Sequence, residues 1–414
     1  MSADSPETIS HRRFAAFAHP AFVRYWSARF LTTFAVQIVA VSVGWQVYDL
    51  TRDPMDLGII GLVQFLPLLL LVLVTGTVAD RYGRRLVMGA ATGLELLCAG
   101  AILFFSIRGL TDPLPVFIAL VGMGTARAFY GPASQSLVVN LVPKVDFANA
   151  VAWNASSWQV ASIVGPVAGG LLYGVGANVA YSVAVCLFAA SAILVALIPK
   201  PPARDEVKKV TFSSLFDGLR FIRKEKVVLG AISLDLFAVL LGGAVALLPA
   251  YARDILHLGP WGLGLLRAAP GIGAIAMAAY LAASPINNHA GRILLVFVAL
   301  FGLFTAIFGM STIAWLSIVA LILVGATDMV SVYIRETLLQ LWTPDDVRGR
   351  VNAVNMVFLG ASNELGEFRA GFMAAWIGIV PAVVLGGFGA IAIAGTWAIL
   401  FPKLRDARYL HRQG

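Results

Sequence analysis

Charged residues are scarce in this chain. They make up 13% of its 414 residues and hydrophobic residues 59%, whereas a soluble globular protein has about 25% charged residues. Cysteine is also nearly absent: Cys98 and Cys186 are the only two, and both lie in apolar runs. The composition therefore excludes an ordinary soluble domain and a disulfide-stabilised one, and predicts a surface that mostly faces lipid.

The chain also lacks the sequence signals of catalysis. It has no glycine-rich nucleotide-binding loop, no cluster spaced to hold a metal and no spacing typical of a catalytic triad. Its five histidines lie near the ends or in loops, where none is placed for a proton relay through a membrane. We therefore expect no enzyme, no cofactor and no metal site.

Long apolar runs are what the chain has instead. Each is about twenty residues long, enough to span a hydrocarbon layer of roughly 30 Å. The first run is too long for a signal peptide and no small-residue cleavage site follows it, so we expect it to remain as the first helix. The predicted spans are 22–48, 57–78, 86–107, 113–139, 148–175, 177–198, 228–251, 259–283, 292–310, 313–341, 349–375 and 380–401. The sequence thus predicts an all-α membrane protein with twelve transmembrane helices and both termini on one side.

Positive charge is unevenly distributed between the two sides of these spans. Of the 30 Lys and Arg residues, 22 fall on the side shared by the termini, five fall within spans, and only Arg52, Arg108 and Arg253 fall on the other side. Loops rich in Lys and Arg remain in the cytoplasm, so we expect both termini to be cytoplasmic. The net charge of +8 is then explained by orientation and by contact with the lipid bilayer, and no nucleic-acid partner is expected.

The chain contains a faint internal repeat. Three pairs of segments match at offsets of 201, 203 and 208 residues, close to half the chain length; the pairs are 136–143 with 337–344, 149–151 with 352–354, and 83–84 with 291–292. In the third pair, Asn288-His289 stands where the first copy has Asp80-Arg81, so the second copy has lost its carboxylate. The repeat predicts two six-helix bundles of related structure.

We place these bundles at residues 1–198 and 228–414, with a polar linker at 199–227. Basic and apolar residues alternate in the linker at helical spacing, which is typical of an amphipathic helix on a membrane surface. A regulatory linker is the alternative to this surface anchor.

A short charged segment lies between the second and third apolar runs. It has the pattern G-x-x-x-D-R-x-G-R-R, formed by Gly76, Asp80, Arg81, Gly83, Arg84 and Arg85. The glycines allow a tight turn, Asp80 can cap the next helix, and the arginines can bind an anionic membrane face. The segment resembles the signature loop of major facilitator superfamily transporters.

This resemblance implies a transporter with two parallel six-helix halves and a substrate site between them. It also implies that Asp80 stabilises the outward-facing state, through nearby arginines and the start of the eleventh helix near residues 345–348. We therefore interpret the segment as a conformational-switch loop.

A second motif lies in the fifth span and consists of Gly165, Pro166, Gly169 and Gly170. It resembles the G-P-x-x-G-G core found in drug:proton antiporters of the superfamily, although Ala161 stands where that motif has a further glycine. Proline bends the helix and glycines let a neighbouring helix approach. The motif favours export over uptake, while glycine and proline are also frequent in membrane helices generally.

Further segments narrow the resemblance to the enterobactin-exporter branch of the superfamily. They are 45–51, 334–340, 343–351 and 360–368, and the resemblance runs from about Phe22 to Phe401. It implies efflux across a bacterial inner membrane, of siderophores or of varied lipophilic drugs.

Charged side chains within spans are the candidates for chemistry, because each costs about 2.5–3.5 kcal/mol at the centre of a span on insertion scales. In the superfamily the first, fourth, seventh and tenth helices line the cavity, which places Gln37, Arg127, Asp235 and Asp328 near the substrate path. Glu364 and Glu367, in the eleventh span, form either a packing network or a proton site. The candidate proton and substrate site therefore comprises Gln37, Arg127, Asp235, Asp328, Glu364 and Glu367.

The repeat makes one pairing specific. An offset of 201 carries residue 127 onto residue 328, so Arg127 and Asp328 occupy equivalent depths in the two halves and are expected to pair across the cavity. The alternatives are pairs within each half, Arg127 with Glu95 and Asp328 with Arg335. For Glu95, on an outer helix, a structural pair is the favoured interpretation.

These features favour a proton-coupled exporter of an amphipathic small molecule. An importer of the same fold and a membrane sensor without a transport cycle are the alternatives. The expected partners are the substrate, protons and the lipid bilayer, with the protein a monomer.

Overall fold

A computed structural model of the protein describes residues 13–200, 212–286 and 288–407. Within those residues the chain is almost entirely helical. The helices before the linker are α1 (Pro20–Thr51), α2 (Pro54–Tyr82), α3 (Arg84–Ile107), α4 (Leu114–Leu137), α5 (Phe147–Val175) and α6 (Ala177–Ala196). Those after it are α7 (Phe212–Lys224), α8 (Lys226–Gly242), α9 (Pro260–Ala283), α10 (Ala290–Met310), α11 (Ala314–Trp342), α12 (Asp345–Ile377), α13 (Ile379–Leu400) and α14 (Pro402–Arg405).

The twelve predicted transmembrane helices are α1–α6 and α8–α13. Eleven candidate spans are long and apolar enough to cross a membrane by length and composition among the described residues, and one of them continues from α8 to Ile255. Only α12 falls short, because Glu364, Glu367 and Arg369 interrupt its apolar sequence. The structure confirms the predicted all-α membrane fold.

The helices pack as two groups of six. In the first, α1 packs on α5 and α6, and α4 packs on α2 and α3; in the second, α10 packs on α11 and α13, and α8 packs on α12 and α13. The two groups meet mainly where α2 lies along α12 and where α5 lies along α9. We call these groups the N-half and the C-half; the limits 1–198, 199–227 and 228–414 stay a prediction.

The helices alternate in direction, so each half has two ends. We call the end with residues 13–19 and 402–407 the terminal end, and the end with residues 51–54 and 255–260 the far end. At the far end α1 stops at Arg52, which has a φ of 56°. The Asp53 carboxylate then accepts a bond of 2.8 Å from the Met55 backbone N–H, with Pro54 in the first turn of α2. This is a regular helix start.

The turn between α2 and α3 is shorter than the sequence predicts. Helix α2 continues to Tyr82, and only Gly83, with a φ of 87°, separates it from α3. A positive φ of this kind favours glycine, because an L side chain would be strained. Asp80 lies within α2 and the N-cap position of α3 belongs to Gly83; the Asp80 side chain lies outside the described residues, so its capping role stays a prediction.

The predicted linker helix is present as α7, but its described apolar face packs on protein. Ile222 is fully buried, in a cluster with Val228, Leu339 and Val351 of the C-half. A Cβ atom on Gly218 would lie 2.8 Å from the Arg350 carbonyl oxygen. The expected surface anchor is therefore, over these residues, a helix docked on α12. Residues 199–200 precede it, and 201–211 lie outside the described residues.

Candidate functional site

Five side chains join the halves at the far end. Tyr48 donates a hydrogen bond to Asp254, and the Arg52 guanidinium lies 3.2 Å from the other oxygen of the same carboxylate. Arg253 forms an ion pair with Asp49. We call these five residues the far-end latch, because α1 and the turn that follows it belong to the N-half and residues 253–254 to the C-half.

An apolar layer lies directly behind the latch. The Arg253 guanidinium also sits 5.5 Å from the centre of the Trp45 ring, which is within the range of a cation–π interaction. Trp45 belongs to a buried cluster with residues from both halves, including Leu57, Leu247, Tyr251 and Leu266. Charge pairs and buried apolar surface together close the far end.

Glycines let the halves touch along α2 and α12. A Cβ atom on Gly371 would lie 2.6 Å from the Cα of Gly58, and one on Gly58 would lie 2.9 Å from the Phe368 carbonyl oxygen. Real Cβ atoms do not approach backbone this closely, so the two backbones are in direct contact here. A side chain at either position would force the halves apart at the far end.

An ion pair bridges the halves deeper in the membrane. The Arg127 Nη1 atom of α4 lies 3.1 Å from the Glu364 Oε1 atom of α12. The Glu364 side chain is 13% exposed, whereas that of Arg127 is 59% exposed. The arginine therefore reaches out of its own half to a carboxylate held in the wall of the other half.

Two further charges extend this bridge within the C-half. Glu367 is one turn along α12 and interacts electrostatically with Glu364 and with Arg267 of α9. Its side chain packs against Gly61 of α2, where an added Cβ would lie 3.1 Å from the Glu367 Oε2 atom. The Arg267 Nε atom is buried without a hydrogen-bond partner among the described residues. We call Arg127, Arg267, Glu364 and Glu367 the cross-half cluster.

The predicted pairing of Arg127 with Asp328 is wrong. Arg127 does cross to the other half, but α4 packs on α2 and α2 lies along α12, so the carboxylate it meets is Glu364. Asp328 is half-buried on α11 and has no hydrogen-bond or ion-pair partner among the described residues. The alternative pairing of Asp328 with Arg335 is wrong as well.

Asp235 is held inside the C-half instead. It forms an ion pair with Arg335, and the two side chains are 8% and 3% exposed. Removing one partner of such a pair leaves an uncompensated buried charge. The position of Asp235 thus agrees with a structural pair at least as well as with a proton site. Gln37, the remaining cavity candidate, packs on Gly165 of α5.

The switch-loop arginines contact helix ends of their own half. Arg84 donates to the Ser136 carbonyl oxygen at 2.9 Å, and Arg85 donates to the Ile198 carbonyl oxygen at 2.7 Å. A cation near the last carbonyls of a helix interacts favourably with the helix dipole. The arginines therefore tie the terminal ends of α4 and α6 to the start of α3. Arg81 lies over the Tyr82 ring, whereas the surroundings of Gly76 and the side chain of Asp80 lie outside the described residues.

The glycines of the α5 motif sit at two helix contacts. Added Cβ atoms on Gly165 and Gly169 would lie 2.6 Å from the Gln37 Cβ atom and 3.0 Å from the Ile38 Cα atom of α1. On the other face, one on Gly264 of α9 would lie 2.6 Å from the Pro166 carbonyl oxygen. Gly170 packs on Gly264 from its own side. The motif thus brings α5 against α1 and, across the halves, against α9.

The far-end latch is absent from the residues predicted from the sequence. Its charges stand at helix ends, where they resemble ordinary interfacial residues. A usable signal was present, because Tyr48 and Arg52 precede Asp254 by 206 and 202 residues, within the offsets of the internal repeat. The repeat thus places these residues at equivalent far ends of the two halves, although equivalence alone does not pair them.

Comparison with known proteins agrees with this architecture. The family model described as "Transmembrane secretion effector" matches residues 11–410. The Enterobactin exporter EntS of Citrobacter koseri is 25% identical over 398 residues, covering 94% of each chain. Solved structures that share the fold include a mutant of the nucleoside transporter NupG, with a TM-score of 0.71 and 12% identity over 92% of this chain and 100% of that chain. They also include a POT family transporter in complex with 5-aminolevulinic acid, with a TM-score of 0.72 and 10% identity over 93% of this chain and 97% of that chain.

Proposed function

The chain belongs to the transmembrane secretion effector family, within the major facilitator superfamily of transporters, and from this we propose that it is a proton-coupled exporter of an amphipathic small molecule. The relatives named as enterobactin exporters favour a siderophore over other drug-like compounds as the substrate. We place the protein in a bacterial inner membrane with the terminal end in the cytoplasm.

The observation that carries the proposal is the bridge between Arg127 and Glu364. It is an ion pair within the membrane whose partners belong to different halves, so a movement of one half against the other must lengthen or break it. A substrate passing between the halves meets the same exposed guanidinium. A single pair therefore links the motion of the halves to the charge state of the site.

A proton can control this bridge through Glu364. While the far end is closed, the carboxylate is held in the protein by Arg127. When the far end opens, the bridge breaks and Glu364 meets water on the outer side, and it takes up a proton from that side as the far end closes again. Inward proton flow would thus reset the halves after the substrate has left.

The test is transport into inverted membrane vesicles. A panel of siderophores and lipophilic cations is measured with and without an imposed proton gradient. We expect uptake of a siderophore into the vesicles that depends on the gradient, and its loss in Glu364→Gln. Substrate exchange at equal pH is expected to survive in that variant.

A matched carboxylate provides the control. Glu336 accepts a hydrogen bond of 3.1 Å from Asn355 within the C-half, so Glu336→Gln is expected to keep gradient-driven transport. Gradient-driven transport in Glu364→Gln at the wild-type level would contradict proton coupling at the bridge. Movement of substrate in the opposite direction would favour the importer.

A further inference from the structure

Glu95 of α3 is a buried carboxyl group that the proposed function leaves unused. It is 3% exposed, and its Oε2 atom has no hydrogen-bond partner among the described residues. A buried polar atom without a partner destabilises the protein, and more so if the group is charged. Glu95 is therefore expected either to carry a proton in this conformation or to gain a hydrogen-bond partner in another conformation of the protein.

The nearby groups narrow the choice of partner. Arg127 of α4 acts electrostatically on Glu95, and Tyr130 of α4 and Cys98 of α3 also lie within its field. On α6 the titratable groups are Tyr181, which donates to Gln46, and the exposed Cys186. On α2 they lie at the two ends of the helix, at residue 56 and at residues 80–82. Arg127 is the one cation among the groups acting on Glu95.

The charges of the cross-half cluster and Glu95 do not balance when all of these groups are ionised. The cross-half cluster together with Glu95 holds two arginines and three carboxyl groups. In a low-dielectric interior the set is neutral when one of the three carboxyl groups carries a proton. In this structure Arg127 is bonded to Glu364 and Arg267 interacts with Glu367, which leaves Glu95 as the group without a counter-charge.

We propose that Glu95 is the second acceptor for Arg127 and carries the proton while the far end is closed. The inference rests on the proposed function, since it assumes that the transport cycle is proton-coupled. Loss of the proton to water leaves a carboxylate beside Arg127 and draws the guanidinium from Glu364 to Glu95. The arginine keeps its own protons throughout, and the bond that joins the halves is released.

The reverse exchange completes a relay. As the far end closes again and Glu364 leaves the outer water, it takes up one proton from that water. On closure that proton passes to Glu95 as Arg127 returns to the Glu364 carboxylate. Each cycle thus moves one proton from the outer side through Glu364 and Glu95 to the terminal side. Glu95 acts through Arg127 and is a positioning residue.

The pH dependence of the far end tests this relay. A hydrated glutamate has a pKa of about 4.3, so near neutral pH the open form has lost the proton that the closed form holds on Glu95. The ratio of open to closed molecules is then expected to rise with pH, by up to about tenfold per pH unit for one proton. Spin labels at Thr111→Cys and Thr312→Cys, in exposed far-end turns of the two halves, measure this ratio in a background without Cys98 and Cys186.

Neutralising Glu95 and neutralising Glu364 are expected to shift the open-to-closed ratio of the far end in opposite directions. Glu95→Gln leaves Glu364 as the carboxylate acceptor for Arg127, so the far end stays closed at every pH. Glu364→Gln leaves Glu95 as the acceptor, so the open-to-closed ratio lies above the wild-type ratio at every pH while both forms remain populated. Glu95→Asp keeps a titratable acceptor and is expected to keep a pH response. Thr92→Val, a buried change one turn away whose hydroxyl donates to Met88, is the control and behaves as wild type.

The outcomes separate the two proposals. If wild-type transport is gradient-driven but Glu95→Gln keeps the wild-type pH response, the role of Glu95 is wrong and the proposed function stands. If wild-type transport does not depend on the proton gradient, the proposed function is wrong, and so is the role of Glu95 that rests on it. Should Glu95→Gln not fold, infrared difference spectra of wild type and Glu95→Asp decide: a protonated carboxyl band that moves in Glu95→Asp supports the relay, and an unmoved band overturns it.

Discussion

Arg253 provides a quantitative test of the far-end latch, because two of its interactions can be removed by one change. Arg253→Gln loses the ion pair with Asp49 and the contact with the Trp45 ring. Both partners of the ion pair are partly exposed, at 25% and 44%, so water screens it. Asp49 also lies 3.5 Å from the Arg52 guanidinium, so its carboxylate still has an ion-pair partner in the variant.

The magnitude follows from these contacts. A partly exposed ion pair contributes about 0.2–1 kcal/mol and an exposed cation–π contact about 0.5–1 kcal/mol. The closed far end is then expected to lose roughly 0.7–2 kcal/mol relative to the open one. Since 1.4 kcal/mol is a factor of ten, the open-to-closed ratio should rise about 3- to 30-fold.

Distance distributions between spin labels at Thr111→Cys and Thr312→Cys measure this ratio. The control is Arg108→Gln, because Arg108 is also a far-end arginine but lies over the Phe104 ring of its own half, at 5.2 Å. No shift is expected there. If Arg253→Gln shifts the ratio no more than Arg108→Gln does, the latch does not hold the far end closed.

Three further predictions concern other parts of the structure. Gly371→Ala places a Cβ 2.6 Å from α2 backbone and should hold the far end open and abolish transport, whereas Gly360→Ala, which meets nothing within 4 Å, should do neither. Asp235→Asn strands a buried arginine and should destabilise the protein by about 3–5 kcal/mol, measured by thermal unfolding in detergent; an equal loss in Asp328→Asn would refute the structural pair. Asp80→Asn should lower transport while equilibrium binding changes by no more than a few-fold, and loss of binding with an unchanged far-end ratio would defeat that role.

The sequence predicts the fold well because the bilayer imposes strong constraints. An apolar run that crosses it must be helical and of a certain length, so eleven of the twelve helices could be placed within a few residues; the exception is α8, which ends at Gly242 although its predicted span runs to residue 251. A smaller departure is at α2, which continues to Tyr82 although its charged end resembles a loop. The charged residues at the end of α2 can remain helical because Gly83 alone makes the turn to α3.

The site is only partly predictable, because residue types are visible in sequence and helix neighbours are not. Arg127 and Glu364 stand out as charges within apolar runs. Their pairing does not, since the internal repeat relates α4 to α11, whereas Arg127 meets α12 through the packing of α4 on α2. Asp235 could not be recognised as half of a buried pair for the same reason.

Proton movement during substrate transport tests the central claim most directly. Purified protein is placed in proteoliposomes with a pH-sensitive dye inside, and an outward gradient of the transported siderophore is imposed without a pH difference. Proton-coupled export predicts that the interior acidifies as the substrate leaves, and that this acidification is absent in Glu364→Gln but present in Glu336→Gln. Substrate efflux with no change in internal pH, or with alkalinisation as in symport, would contradict it.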